Sequence, residues 1–173
     1  MPIDPCVMKP VHVRQMELSD CEEASVLVCR SYEWAGRREG ISDTEIDRYV
    51  HGRGSPETIR GDLVPGRSWV AIQADRIVGV IMTHDNQIGK LYVEPSSVGR
   101  GIGKRLFREA EETIARNGHD DLELWAVFDS AIPFYRAMGL QCEGRKFDLP
   151  KVAHTGRNTT LMTKRVTADC RNA

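Results

Sequence analysis

The sequence has almost no net charge and no long run of lysine and arginine. Its 173 residues include 24 Lys and Arg against 25 Asp and Glu, which gives a formal net charge of −1. Proteins that hold nucleic acids or anionic membranes without specificity depend on an excess of positive charge. The charge balance therefore predicts no nucleic-acid partner and no membrane partner.

The sequence also lacks long apolar segments. No stretch approaches the ~20 apolar residues that a membrane-spanning helix needs. The first ten residues, MPIDPCVMKP, do not show the basic start and apolar run of a secretory signal peptide. We therefore expect a cytoplasmic protein.

Cysteine and histidine are few and do not cluster. The five cysteines form no CxxC pair, and the five histidines show no HxxxH spacing. Such spacings are typical of metal sites, so we expect no metal. Cys21 and Cys29 are predicted to share a helix, which separates them by about 12 Å and excludes a disulfide between them. We expect reduced thiols.

The length suits one domain with a single core. Apolar periodicity predicts the element order β-α-α-β-β-β-α-β-α-β-β over residues 11–166, preceded by an irregular lead-in over 1–10 and followed by a polar tail over 167–173. The strand–helix–strand unit over 88–127 requires parallel strands, whereas the other strands can be antiparallel. The fold class is therefore α/β of the α+β kind: a mixed, mostly antiparallel central sheet flanked by helices.

Local signals predict how some of these elements begin and end. Ser19 or Asp20 can cap the first helix, and Gly36 and Gly40 bracket a loop after it. Ser42 with Glu45 three residues on is a capping-box pattern at the second helix, and Pro56 predicts one more helical turn.

Two further local patterns are present. Ala74 and Asp75 separate two apolar segments and predict a hairpin. The helix that starts near Gly101 has an apolar stripe at Ile102, Leu106, Ala110 and Ile114.

What the sequence does have is a glycine-rich turn, VEPSSVGRGIGKRL at residues 93–106. The turn follows the predicted strand 88–94 and opens the predicted helix 101–117. A helix start offers unpaired N–H groups and a positive dipole end, and glycine lets a ligand approach the main chain closely. Arg100 and Lys104 add positive charge, so the turn suits a pyrophosphate.

Two common phosphate-binding turns can be excluded by counting. A G-x-G-x-x-G turn would need its third glycine at position 104 or 106, which are Lys104 and Leu106. A Walker loop would need glycine at Val98 and a hydroxyl residue at Arg105. A glycine-rich loop without a ligand remains the alternative.

The spacing V-x-P-x-x-x-G-x-G-x-G, from Val93 to Gly103, resembles the acetyl-CoA-binding segment of the GNAT family of N-acetyltransferases. AIPFYRAMGL, at residues 131–140, is similar to the same family's signature at its last helix. Together with the element order, the resemblance covers about nine tenths of the chain, and SDTEID and PFY resemble a broad bacterial subgroup of undefined substrate. Departures from the family pattern are Val98 for Arg or Gln, Leu140 for Phe and Phe128 for Asn.

The resemblance implies a GNAT-like acyl-CoA N-acyltransferase fold with acetyl-CoA as acetyl donor. The pantetheine arm would lie between strands 88–94 and 121–128, with a backbone N–H near Val93 polarising the thioester carbonyl. The implied cofactor-binding residues are Leu91, Tyr92, Val93, Val98, Gly99, Arg100, Gly101, Ile102, Gly103, Lys104, Phe128, Ser130 and Phe134.

The resemblance also implies catalytic residues. Tyr135 is the candidate general acid, although its residue type alone favours a packed core tyrosine. Glu94 is the candidate base, because the place where some family members carry Glu or His is Gln87, which cannot take a proton. His84 and a base acting through ordered water are alternatives.

The acceptor site is expected in a loop between the first two helices, with Tyr32, Glu33 and Trp34, and between the last two strands, where His154 lies. The predicted activity transfers acetyl to a primary amine of an unidentified small-molecule, protein or peptide acceptor by direct attack in a ternary complex. The alternatives are a catalytically silent CoA-binding or regulatory module and a transferase of another acyl group. A homodimer is left open.

Overall fold

The computed structural model describes residues 9–148 and 158–166. Most of the predicted lead-in, the whole predicted C-terminal tail and His154 lie outside these residues. The bounds of the helices and strands are β1 His12–Gln15, α1 Cys21–Arg38, α2 Asp43–His51, α3 Pro56–Asp62, β2 Ser68–Gln73, β3 Arg76–His84, β4 Gln87–Val93, α4 Ile102–Arg116, β5 Asp121–Ala126, α5 Ile132–Ala137, β6 Gln141–Asp148 and β7 Asn158–Arg165. The predicted order is confirmed, and α3 is the one further turn expected after Pro56.

The seven strands form one sheet in the order β1-β2-β3-β4-β5-β7-β6. Every neighbouring pair is antiparallel except β4 and β5. The predicted mixed, mostly antiparallel sheet is therefore confirmed, and so is the parallel pair around α4. None of the helices in the described ranges is long and apolar enough to cross a membrane.

β4 and β5 separate soon after they begin. Their pairing is limited to Gln87 with Glu123 and Ile88 with Leu124. Just beyond, β4 carries a β-bulge against β3, where the register shifts by one residue and leaves Gly89 unmatched. A bulge increases the local twist of a strand, which accounts for β4 turning away from β5. The result is an opening between the carboxyl-terminal halves of the two strands.

Each face of the sheet carries its own hydrophobic core. α1, α2 and α3 cover one face, where Tyr32 and Ile59 are wholly buried. α4 covers the other through the predicted stripe, whose members Ile102, Leu106, Ala110 and Ile114 are all at most 2% exposed. The helix approaches β3 closely at Gly79, where a Cβ would lie 2.8 Å from the Leu106 Cδ1 atom.

The predicted starts of α2 and α3 are confirmed. The Ser42 hydroxyl accepts a hydrogen bond from the Glu45 N–H, and the Glu45 carboxylate accepts one from the Ser42 N–H. At the start of α3 the Ser55 hydroxyl accepts a hydrogen bond from the Thr58 N–H, with Pro56 in the first turn. The predicted hairpin turn between β2 and β3 is also present, with φ of 53° at Ala74 and 61° at Asp75.

Two predictions about α1 need correction. Asp20 is its N-cap residue, as expected, but the carboxylate makes no capping hydrogen bond; it pairs with Arg14 at 2.7 Å and accepts the Glu17 N–H at 2.8 Å. A loop was expected from Gly36, but α1 continues through Arg38. Gly36 packs against the next segment, since a Cβ there would lie 3.4 Å from Ile41. Tertiary contact thus outweighs the low helix propensity of glycine.

Candidate active site

A cavity of about 510 Å³ occupies the opening beyond the paired parts of β4 and β5. Its walls are the last turns of α1, the end of β4, the glycine turn, the start of α4, the turn after β5, and α5. The lining residues are Ser31, Trp34, Ala35, Arg38, Leu91, Val93, Ser97, Val98, Gly99, Gly101, Ile102, Gly103, Lys104, Phe128, Ser130, Ala131, Phe134, Tyr135 and Met138. The two motifs singled out in the sequence therefore meet at one cavity.

The main chain of β4 presents groups to this cavity that β3 does not pair. The Glu94 N–H donates to the Val78 carbonyl at 2.9 Å, so these residues form a hydrogen-bonded pair. Hydrogen-bonded and non-hydrogen-bonded pairs alternate along antiparallel strands, which turns the N–H and C=O groups of Leu91 and Val93 away from β3. β5 has already separated at this level, so the β4 edge is open for an extended ligand.

Tyr92 points the other way. It lies between Leu91 and Val93, so its main chain faces β3, where it is opposite Val80. Its hydroxyl is 2.8 Å from the Tyr49 hydroxyl on the other side of the sheet. Burial raises the pKa of Tyr92 well above its usual range. Of the three β4 residues expected to hold the cofactor through their main chain, Tyr92 is thus not at the cavity.

The glycine turn has the backbone that a phosphate site requires. Gly99 and Gly101 have φ of +83° and +79°, a region that favours glycine, and a Cβ at either would meet nothing within 4 Å. Gly101 is the N-cap of α4 and no side chain caps the helix. The first N–H of α4 to bond back is that of Arg105, so within the described residues the N–H groups of Ile102, Gly103 and Lys104 have no partner.

Gly103 has a different role from the other two glycines. It lies inside α4, and a Cβ there would lie 3.3 Å from Cζ of Phe134. Phe134 also packs edge-on against Phe107, with ring centroids 6.4 Å apart. Gly103 therefore lets α5 lie against the start of α4, which brings the AIPFYRAMGL segment next to the glycine turn.

Tyr135 lines the cavity from α5. Its ring contacts Phe134, with centroids 5.4 Å apart, and its hydroxyl makes no hydrogen bond within the described residues. Burial raises the pKa of Tyr135 to about 12. The phenol is therefore neutral and able to donate at any ordinary pH.

Candidate bases do not line this cavity. The Glu94 carboxylate pairs with Arg30 at 3.2 Å, and its side chain is 19% exposed. Gln87 lies at the far end of β4, where its amide donates to Glu123. His84 is exposed beside Asp85. Among the described lining residues there is no carboxylate and no imidazole.

The three residues expected in the acceptor loop lie on α1 instead. Tyr32 is wholly buried and stacks on Tyr49 with ring centroids 3.6 Å apart, so it does not reach the cavity. Glu33 pairs with Arg37 at 2.9 Å in a separate cavity of about 560 Å³ between α1 and α2. Only Trp34 lines the cavity described above. Arg100, predicted with the glycine turn, is exposed and does not line it.

Several lining residues were missed in the sequence: Ser31, Ala35, Arg38, Ser97, Ala131 and Met138. Ser31 is informative because its hydroxyl donates to the Val93 carbonyl at 3.0 Å and so joins α1 to the end of β4. Helical periodicity predicts the lining residues that lie on α1. Ser31 and Arg38 are three residues before and four residues after Trp34, on the same face of a helix that reaches Arg38.

The glycine turn at the start of α4 thus lies beside two parallel strands that separate. The model of the acetyltransferase (GNAT) domain family matches residues 65–141, which contain β2 to α5 and both motifs. Over these residues, which are less than half of the chain, the sequence is similar to that family. Its assignment to a bacterial subgroup stays a prediction.

Two curated relatives are similar over parts of the chain. An uncharacterized N-acetyltransferase of Methanocaldococcus jannaschii is 31% identical over 75 residues, 42% of this chain and 33% of the relative. The N-alpha-acetyltransferase RimI of Mycobacterium tuberculosis is 40% identical over 58 residues, 34% of this chain and 36% of the relative. These matches span about a third of the length of each relative.

A solved structure extends the likeness to nearly the whole fold. The PaiA N-acetyltransferase of Thermoplasma acidophilum, crystallised with coenzyme A, superposes with a TM-score of 0.72. The superposition covers 90% of this chain and 99% of that one, at 20% identity. At this identity the likeness establishes the shared fold.

Proposed function

We propose that the protein transfers an acetyl group from acetyl-CoA to a primary amine, with residues 11–166 as the catalytic domain. The observation that carries the proposal is the cavity itself. It joins an open β4 edge at Leu91 and Val93, an uncapped helix start at Gly101, and the neutral phenol of Tyr135. These features suit three parts of one ligand: an extended arm, a pyrophosphate and a reacting thioester.

The residues present fit coenzyme A. Gly101 and Gly99 leave open space where a side chain would obstruct a phosphate, and Lys104 adds a positive charge in the same turn. Leu91 and Val93 offer main-chain groups to the amide groups of a pantetheine arm. Bound acetyl-CoA would supply the activated acetyl thioester.

The chain's own groups would act on that thioester as follows. The Val93 N–H would donate to the acyl oxygen and stabilise the charge that develops when the amine attacks. Tyr135 would give its proton to the departing thiolate. Its raised pKa keeps the phenol protonated, so a proton is available for this step. Val98 and Phe134 line the cavity and would contact the bound cofactor. No residue needs to form a covalent intermediate.

Proton removal from the attacking amine needs a base. Since no carboxylate or imidazole lies among the described lining residues, proton removal from the amine is assigned to ordered water, with Glu94 as the alternative that the sequence predicts. The same shortage of bases favours the second candidate, a CoA-binding module without activity. Transfer of another acyl group remains a variant of the first.

Product analysis separates these candidates. The protein is incubated with acetyl-CoA, or with longer acyl-CoA esters, and a panel of amines that includes amino acids, short peptides, polyamines and amino sugars. Free CoA thiol and the mass of the acylated amine are measured together. Acetylated product is the expected result. CoA binding by calorimetry, with neither thiol release nor product from any amine, would establish the silent module instead.

A further inference from the structure

Arg38 is a cation in the cavity wall that has no carboxylate partner within the described residues. The other arginines in the second half of α1 do have partners: Arg30 pairs with Glu94 at 3.2 Å and Arg37 pairs with both Glu33 and Asp43. Arg38 makes no ion pair and no hydrogen bond there, although it lines the cavity. Its charge is therefore available to a ligand.

A ring, not a carboxylate, holds Arg38 in place. Its guanidinium carbon lies 4.8 Å from the centroid of the Trp34 ring, one helical turn earlier. Trp34 is 40% exposed and lines the same cavity. Stacking on an aromatic face orients the planar guanidinium and leaves its five N–H donors uncommitted. This arrangement suits bidentate recognition of a carboxylate or phosphate.

The charge of the cavity agrees with an anionic ligand on this side. Arg38 and Lys104 are the only charged side chains among the described lining residues, and both are positive. Lys104 belongs to the first turn of α4, where the free helix N–H groups already suit a pyrophosphate. Arg38 is on α1, whose Ser31 contacts the end of β4 where the thioester is expected. Arg38 therefore lines a different wall of the cavity from Lys104 and is placed to meet a second anionic group.

We infer that the acceptor amine carries an anionic group, and that Arg38, oriented by Trp34, binds it. The acceptor class is then an amino acid or peptide with a free carboxylate, or an amine of similar charge, and a polycationic amine is disfavoured. The inference rests on the proposed acetyl transfer. Arg38 is a specificity residue that need not touch the reacting atoms.

Matched acceptors test this inference. Free amino acids and short peptides are compared with their C-terminal amides, so that each pair differs in one carboxylate. The parent should acetylate the free acids with a kcat/KM about 10- to 100-fold higher, the usual range for a charge-assisted pair. Arg38→Gln should remove that preference, and Arg38→Lys should keep part of it. CoA affinity should be the same in all three proteins.

The control is Arg60→Gln, which removes one positive charge from an exposed ion pair with Glu22 remote from the cavity. It should leave both the preference and the rate unchanged. Equal use of acids and amides by the parent would overturn the inference. So would an Arg38→Gln protein that loses CoA affinity but keeps the preference, because the group bound by Arg38 would then be a phosphate of CoA.

A binding experiment separates this inference from the proposed function. The CoA-saturated parent and Arg38→Gln are titrated calorimetrically with the same acid and amide pairs. Tighter binding of the acids by the parent alone supports Arg38 even if no amine is acetylated, in which case the proposed activity fails by itself. Equal binding of acid and amide overturns the inference and leaves acetyl transfer standing.

Discussion

Tyr135 is the residue whose substitution best tests the proposed chemistry. Tyr135→Phe keeps the ring against Phe134 but deletes the hydroxyl, which makes no hydrogen bond in the described part of the chain. A positioned general acid contributes typically ~10²–10⁴-fold, so we expect kcat to fall within that range while CoA affinity stays the same. Steady-state kinetics with an acceptor from the amine panel would measure it.

The pH profile distinguishes an acid from a packing residue. Burial raises the pKa of Tyr135 to about 12, so the phenol keeps its proton up to that pH and loses it only above. The parent rate should therefore rise as the amine deprotonates and fall only in strongly alkaline solution. In Tyr135→Phe the alkaline fall should vanish. An unchanged turnover number and pH profile would show that Tyr135 serves in packing and not as the general acid.

Gly79 offers a second test at this scale, for packing and not for chemistry. An added Cβ would lie 2.8 Å from Leu106 Cδ1 and 2.9 Å from Ile102 Cγ2, both on buried side chains of α4. Overpacking of this kind costs typically 1–3 kcal/mol, so Gly79→Ala should lower the free energy of unfolding by about that amount.

Gly61→Ala is the matched control for Gly79→Ala. Gly61 lies in α3, and a Cβ there meets nothing within 4 Å. Alanine is the better helix former, so this change should be neutral or stabilising by up to about 1 kcal/mol. Urea unfolding measures both variants. A Gly79→Ala protein as stable as the parent would show that α4 can shift away from β3 at no cost.

At the scale of elements, the sequence predicts those features that depend on interactions between residues close together in the chain. The α4 stripe, the capping box of α2 and the hairpin at Ala74 and Asp75 depend on neighbours in sequence, and all are present. The bulge at Gly89 and the insertion of β7 between β5 and β6 depend on pairing with distant strands. Neither leaves a pattern in its own segment.

The same distinction explains the missed part of the cavity. The glycine turn and the PFY motif sit in contiguous sequence and were predicted from it. The α1 wall does not follow from local sequence, because Gly36 predicts a loop there, whereas contact with Ile41 keeps the segment helical. Once the helix ends at Arg38, the spacing of Ser31, Trp34 and Arg38 follows from 3.6 residues per turn.

α2 and α3 lead to a prediction about motion. They are helices of 9 and 7 residues joined by turns with glycine, and their outer faces are exposed. We expect amides over residues 31–60 to exchange faster than those over 88–128, which form the centre of the sheet and α4. Hydrogen exchange with and without CoA and an acceptor would show this. Equal protection of both segments would rule out a mobile cover over the acceptor side.

At the scale of the whole molecule, ligand binding should appear as stability. A ligand at ~100 times its dissociation constant adds about 2.7 kcal/mol to the free energy of unfolding. For a domain of this size that corresponds to a rise in Tm of roughly 5–10 °C. We expect CoA to produce such a rise in the parent, measured by thermal unfolding at fixed protein concentration.

Two glycines at opposite ends of α4 show where CoA binds. Gly101 and Gly118 have φ of +79° and +87°, and a Cβ at either meets nothing within 4 Å, so alanine strains the backbone similarly at both. That strain costs about 1–2 kcal/mol, and both variants should lose a similar amount of stability without ligand. Only Gly101 lies at the cavity, where the added methyl group would occupy the space of a phosphate. Gly101→Ala should therefore lose most of the CoA-induced rise in Tm, whereas Gly118→Ala should keep it. Equal rises in the two folded variants would place the CoA site away from the glycine turn, and the proposed function would lose its main support.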